Sequence, residues 1–153
     1  MAHAAADVLI AGAGPVGLLL AGDLAAAGVS VTVLERRKDT SNLSRAIGVH
    51  ARTLEMLDCR GLADELIATG QRLDRLSWGS LNVDLSRLPS RFPFLLQTPQ
   101  YQTERLLERR ARSLGAEIIG GSEVTGLRQD ADHVRLDVRE ADGTVITREA
   151  LYA

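Results

Sequence analysis

Three glycines and one acid carry the clearest chemistry in this sequence. In Gly12-Ala13-Gly14-Pro15-Val16-Gly17 the glycines fall in the pattern GxGxxG, and Glu35 stands 18 positions after Gly17. That spacing suits a pyrophosphate. The first glycine permits a tight turn, the second lets the phosphates approach the backbone, and the third lets a following helix pack closely on its strand. The free N–H groups and positive dipole end of the helix that opens with Pro15 and Val16 then face the phosphates. A carboxylate at Glu35 is placed to accept hydrogen bonds from both hydroxyls of a nucleotide ribose.

The cradle needs a strand before it, a helix after it and a second strand ending at the acid. "DVLIAG" is a short aliphatic run bounded by glycine, as expected of a strand buried on both faces. "PVGLLLAGDLAAAG" opens with Pro15 in its first turn and closes at Gly28, which is helix punctuation at both ends. "VSVTVLER" alternates with valines and ends in charge, so it reads as the second strand. The unit is βαβ. Its glycines cut the apolar stretch into pieces shorter than the ~20 residues of a membrane span. The competing reading is a glycine turn that serves only packing, with Glu35 solvated. Glu35 opposes a 2′-phosphate through like charge, which favours FAD or NAD over NADP. The adjacent Arg36 and Arg37 qualify this, because arginine can accommodate extra phosphate.

Composition narrows the class. The 153 residues are 45% hydrophobic and 25% charged with a net charge of −2, values of an ordinary globular protein. No basic field is available for nucleic acid or an anionic membrane. One cysteine, Cys59, and histidines at 3, 50 and 133 supply neither a disulfide nor a metal site, which fits a cytoplasmic location. "MAHAAAD" lacks the charged start of a signal peptide. Cys59 reads as a packed thiol and His50 as a surface or packing residue.

The second half builds the surroundings. Gln100 to Gly115 reads as a helix with an apolar stripe of Leu106, Leu107, Ala111 and Leu114. Its arginines 105, 109, 110 and 112 alternate with Glu104 and Glu108, as on a solvated face. "AEII" then reads as a short buried strand joining the parallel sheet. From Ser122 onward the period becomes two, with turns at Asp130 to Asp132 and at Asp142-Gly143, which predicts a three-stranded antiparallel meander. Gly70 to Gln97 has poor periodicity and two prolines, Pro89 and Pro93.

The segment "SNLSRAIGVHARTLEMLDCRGLADELIATG" resembles the flavoprotein aromatic hydroxylases, FAD monooxygenases of the para-hydroxybenzoate hydroxylase fold. The nearest branch is that of the polyketide, phenol and rifampicin hydroxylases. Ser44-Arg45-Ala46, Gly48, Arg52 to Glu55 and Arg60 to Leu62 carry the match, together with "TPQYQTERLLERRARSLGAEI" and "GSEVTGLRQD". The resemblance spans essentially the whole chain. It implies FAD as the nucleotide, with NAD(P)H as co-substrate and a small aromatic or polycyclic compound as substrate. It also implies that Arg45 lies near the flavin and pyrophosphate, that Gln102 contacts the cofactor, and that Val124 holds the adenine through its backbone. Arg45 as a loop arginine, Gln102 as a helix cap and Val124 as core are the plainer alternatives.

The resulting expectation is an α/β fold: a Rossmann-like FAD-binding βαβ parallel sheet plus an antiparallel three-stranded β-meander, in a truncated domain. Residues 1–153 form the N-terminal part of the FAD-binding domain, and 71–97 could contribute to a substrate lobe. Compared with the family, a further parallel strand beside the first one is missing, so self-association through an exposed sheet edge is expected. No residue reads as a catalytic acid or base, and no metal is expected. The implied function is the FAD-binding portion of an aromatic or polyketide hydroxylase, inactive as this fragment alone. The alternatives are an FAD- or NAD-dependent oxidoreductase of another family and a non-catalytic nucleotide-binding remnant.

Overall fold

In the computed structural model, described for residues 6–38 and 46–153, the chain gathers into two compact units. One joins residues 6–38 to 107–153, and the other holds 46–106.

The first unit begins with β1 (Val8–Ala11), α1 (Pro15–Ala26) and β2 (Val31–Glu35). Pro15 occupies the first helical turn, where its missing N–H costs nothing, and Gly28 ends the helix region with φ +82°. β1 and β2 pair in parallel from Val8↔Val31 to Ala11↔Leu34. Alternation then sends neighbouring residues to opposite faces. Ile10, Val31 and Val33 pack with Ala21 of α1, while Leu9 and Leu34 face the other way.

The second unit carries β3 (Gly48–Val49), α2 (Ala51–Asp58), α3 (Ala63–Ile67), β4 (Gln71–Leu73), β5 (Arg75–Trp78), β6 (Leu81–Asp84) and β7 (Leu95–Gln97). β7 pairs antiparallel with both β3 and β4, and β5 with β6 forms a hairpin. The weakly periodic stretch 70–97 therefore holds four short strands. Short strands leave little room for a two-residue period to show. Cys59 caps α2 and is exposed, which corrects the expectation of a packed thiol. Leu54 and Leu57 fill the buried face of that short helix instead.

Helix α4 (Gln100–Ser113) leads back into the first unit, and Gly115 (φ +99°) turns the chain into β8 (Glu117–Gly120). Leu106, Leu107 and Ala111 are buried, but Leu114 lies past the helix end and is 40% exposed. Arg110 also departs from the expected solvated face. Its side chain is tucked over Gly22 and pairs with Asp23 of α1 at 3.0 Å. β8 joins β2 in parallel, giving the order β1-β2-β8, although as an edge strand it is only half-buried.

The chain continues into β9 (Glu123–Gln129), β10 (Val134–Arg139) and β11 (Val145–Ala150), an antiparallel meander ordered β11-β10-β9. Its Val134, Leu136, Val138 and Ala150 close over Leu9 and Leu34. The first unit is thus a parallel sheet between helices and a meander, the expected α/β arrangement. At the free side of β1, Tyr152 forms a parallel bridge with Val8, and the Leu9 N–H donates to its carbonyl at 3.0 Å. The edge of β1 is therefore met at its start by the chain itself.

Candidate functional site

The glycine turn connects β1 to α1 directly. Gly12 has φ +105°, in the region that other residues avoid, and its N–H donates to the Leu34 carbonyl at 2.8 Å, carrying the β1–β2 ladder into the turn. A Cβ at Gly17 would overlap the Gly12 carbonyl oxygen and press on Cγ2 of Ile10, so this glycine is required by the protein's own packing. Gly14 differs. Its backbone is extended (φ −78°, ψ 177°), which any residue adopts, and a Cβ there would meet no heavy atom within 4 Å. Nothing in the fold itself demands a glycine at that point. Open space at the second glycine of the turn is what an approaching phosphate requires.

Gly14 is also the N-cap of α1, and it offers no side-chain cap. The first turn carries no acidic residue, and Val16 is 82% exposed. The N–H donors and positive end of the helix dipole are therefore left to an external anion.

Glu35, at the end of β2, is held on two sides. Its Oε2 accepts the Ala13 N–H of the glycine turn at 2.7 Å. Its Oε1 accepts both the backbone N–H and the side-chain Nε–H of Arg37, each at 2.9 Å. Burial pushes the carboxyl up. The hydrogen bonds from the Arg37 side chain, the Arg37 backbone and Ala13, with the guanidinium charge, outweigh burial and hold it below its usual range.

Beside Glu35 opens a cleft of about 280 Å³. Its walls are the end of β1 and the first residue of the turn (Ala11, Gly12), the end of β2 and the residue after it (Leu34 to Arg36), and Ser122 to Val124 where β9 begins. The Ser122 N–H donates to the Glu35 carbonyl at 2.9 Å, which ties that third wall to the acid. The Ser122 hydroxyl is buried and donates to Glu140 at 2.9 Å. On the rim, Arg36 lies 4.0 Å from Glu123, which also pairs with Arg139 at 3.0 Å.

Of the residues singled out in the sequence, Gly12, Glu35, Arg36 and Val124 thus line one cleft, and Gly14, Pro15, Val16 and Gly17 form the turn and helix start that follow Gly12. Gln102 is half-buried in the first turn of α4, within the second unit. Arg45 lies outside the described residues. Ser122, Glu123 and the Ala13 N–H were not anticipated. Arg37 was noted for its charge alone, although its backbone N–H and Nε–H reach back to Glu35 across the bend at Arg36.

A family model described as FAD binding domain matches residues 5–153. The chain belongs to the FAD-binding domain family. Its nucleotide is FAD, and the open space at Gly14, the uncapped helix start and the held Glu35 all fit that group. This FAD-binding domain is 48% identical over 139 residues to 12-dehydrotetracycline 5-monooxygenase/anhydrotetracycline 6-monooxygenase of Streptomyces rimosus, covering 90% of the chain and 28% of that protein. It is 36% identical to rifampicin monooxygenase of Rhodococcus hoagii, covering 92% of the chain and 29% of the relative. Among solved structures, anhydrotetracycline hydroxylase from Streptomyces rimosus superposes with a TM-score of 0.91 at 43% identity, over 97% of this chain and 31% of the other. The chain spans about 30% of the length of these relatives. No helix among its described residues is long and apolar enough to cross a membrane.

Proposed function

We propose that this FAD-binding domain serves a flavin monooxygenase that hydroxylates an aromatic or polyketide substrate with NAD(P)H and O2, in the cytoplasm. The observation that carries the reading is the unfilled space at Gly14, beside an uncapped helix start and a carboxylate held on the cleft. Similarity to tetracycline and rifampicin monooxygenases supports the substrate class. Bound FAD would supply redox chemistry and oxygen activation, which no protein side chain provides.

The residues of this chain have binding and orienting roles. The turn from Gly12 to Gly17 presents backbone donors to the pyrophosphate. Glu35 accepts from the ribose, Arg36 flanks the nucleotide, and Val124 holds adenine through its backbone. The family resemblance assigns Arg45 to the neighbourhood of the flavin and pyrophosphate and gives Gln102 a contact with the cofactor. Residues 71–97 contribute to the substrate lobe, and the remaining edge of β1 is a place for self-association.

Titration of the purified chain with FAD, and separately with NADH and NADPH, tests the reading through flavin fluorescence and binding heat. Saturable FAD binding without comparable nicotinamide binding is expected. A folded chain that binds nicotinamide nucleotides and ignores FAD points to a simple dehydrogenase cradle instead.

A further inference from the structure

The hydrogen bonds around Glu35 limit what it can still accept. A carboxylate offers about four acceptor positions, two on each oxygen. Arg37 fills both positions on Oε1, one with its backbone N–H and one with its side-chain Nε–H. The Ala13 N–H fills one on Oε2. One position remains, on the oxygen turned toward the glycine turn. Arg37 does not line the cleft, whereas Glu35 does, so the arginine holds the carboxylate from outside the nucleotide space.

We propose that Arg37 is a positioning residue that confines Glu35 to a single ribose hydroxyl, so that the cradle distinguishes the two hydroxyls of the adenosine ribose rather than reading both. This rests on the ribose role proposed for Glu35 above. Release of Arg37 would not free the Ala13 bond, and its own backbone N–H stays with Oε1. The side chain alone therefore decides whether Oε1 stays turned away from the cleft or can swing its open position toward a second hydroxyl.

The test is binding of FAD, ADP, 2′-deoxy-ADP and 3′-deoxy-ADP to the full chain by calorimetry. In the parent chain only one of the two deoxy analogues should bind more weakly than ADP, by about tenfold or more, the size of one hydrogen bond to a charged acceptor. Arg37→Met keeps the backbone N–H and removes the side-chain donor, so both analogues should then bind more weakly than ADP. Arg37→Lys restores a donor and should return the selectivity toward the parent pattern. A general loosening of the fold would weaken all ligands together and leave their ratio unchanged.

Equal losses for both deoxy analogues in the parent chain overturn the inference and leave the FAD site standing. No loss for either, with ADP still bound, removes Glu35 from the ribose and overturns the inference together with that assignment. A folded chain that binds neither FAD nor ADP overturns both.

Discussion

The glycine cradle and the β-meander belong to one compact unit and treat their polar groups in opposite ways. In the meander the charges close on one another. Arg135 pairs with Asp130 and Glu149, Arg128 with Asp137, and Arg139 with Glu123. Asp130 is drawn down to about 2 by the backbone N–H groups of Asp132 and His133 and by Arg135, as expected of a tight turn. The cradle leaves groups open instead: an uncapped helix start, space at Gly14, and a carboxylate with an acceptor position to spare. Satisfied surface charges contribute little even to stability. Exposed donors arranged around an unfilled space are the better guide to where a ligand goes.

Truncating the meander's core should have the largest effect. Leu136 is 1% exposed and packs under the sheet, so Leu136→Ala should destabilise the chain by about 2–5 kcal/mol in denaturant unfolding. A smaller loss would mean that the meander is only loosely docked.

Two glycines sharpen the contrast inside the cradle. Gly17→Ala drives a methyl group into the Gly12 carbonyl and should cost about 1–3 kcal/mol of stability, with FAD affinity falling as the turn shifts. The Cβ of Gly14→Val meets open space, so unfolding should shift by no more than about 1 kcal/mol, the cost of an apolar residue at the N-cap, while FAD affinity drops by about tenfold or more. A larger loss of stability on Gly14→Val would show that this glycine serves the fold after all.

Glu35→Gln should weaken FAD by about tenfold through the lost charged acceptor, read by flavin fluorescence. It should also change the acid limb of the stability curve. The folded carboxyl binds its proton less readily than the unfolded one, so its contribution is present above the ordinary glutamate range and is lost as pH falls through the lowered folded value. Melting of the parent chain should therefore fall more steeply with acid than that of Glu35→Gln. The smallest effect belongs to the exposed ion pairs. Arg135→Ala should leave both FAD titration and melting nearly unchanged, and a marked change in FAD binding would end the division between the two regions.

The parallel βαβ start was legible because every signal in it is local. Pro15, Gly28 and the β-branched run from Val29 act on the backbone within a few residues of themselves. The meander showed itself through alternation, and only a bulge near Thr125, where Val138 pairs with Val124 and Asp137 with Gly126, escaped the pattern. Single side chains were harder. Leu114 fits a helical stripe by spacing, yet the helix has ended before it. Arg110 resembles its neighbouring arginines, but the absence of a side chain at Gly22 lets it cross to Asp23. Cys59 sits near leucines in sequence and still faces outward.

The sequence by itself determined the turn, the helix start and the acid, because chain stereochemistry and near-neighbour sterics decide how GxGxxG leaves a strand and opens a helix. Tertiary structure alone decided that Ser122 to Val124 form the third wall beside Glu35, and that Ala13 and Arg37 engage the carboxylate from two sides. These contacts join segments far apart in the chain or depend on where a side chain points, and both follow from how the sheet and meander pack together. Local spacing fixes which groups a segment can offer. Packing fixes which of them remain free to act.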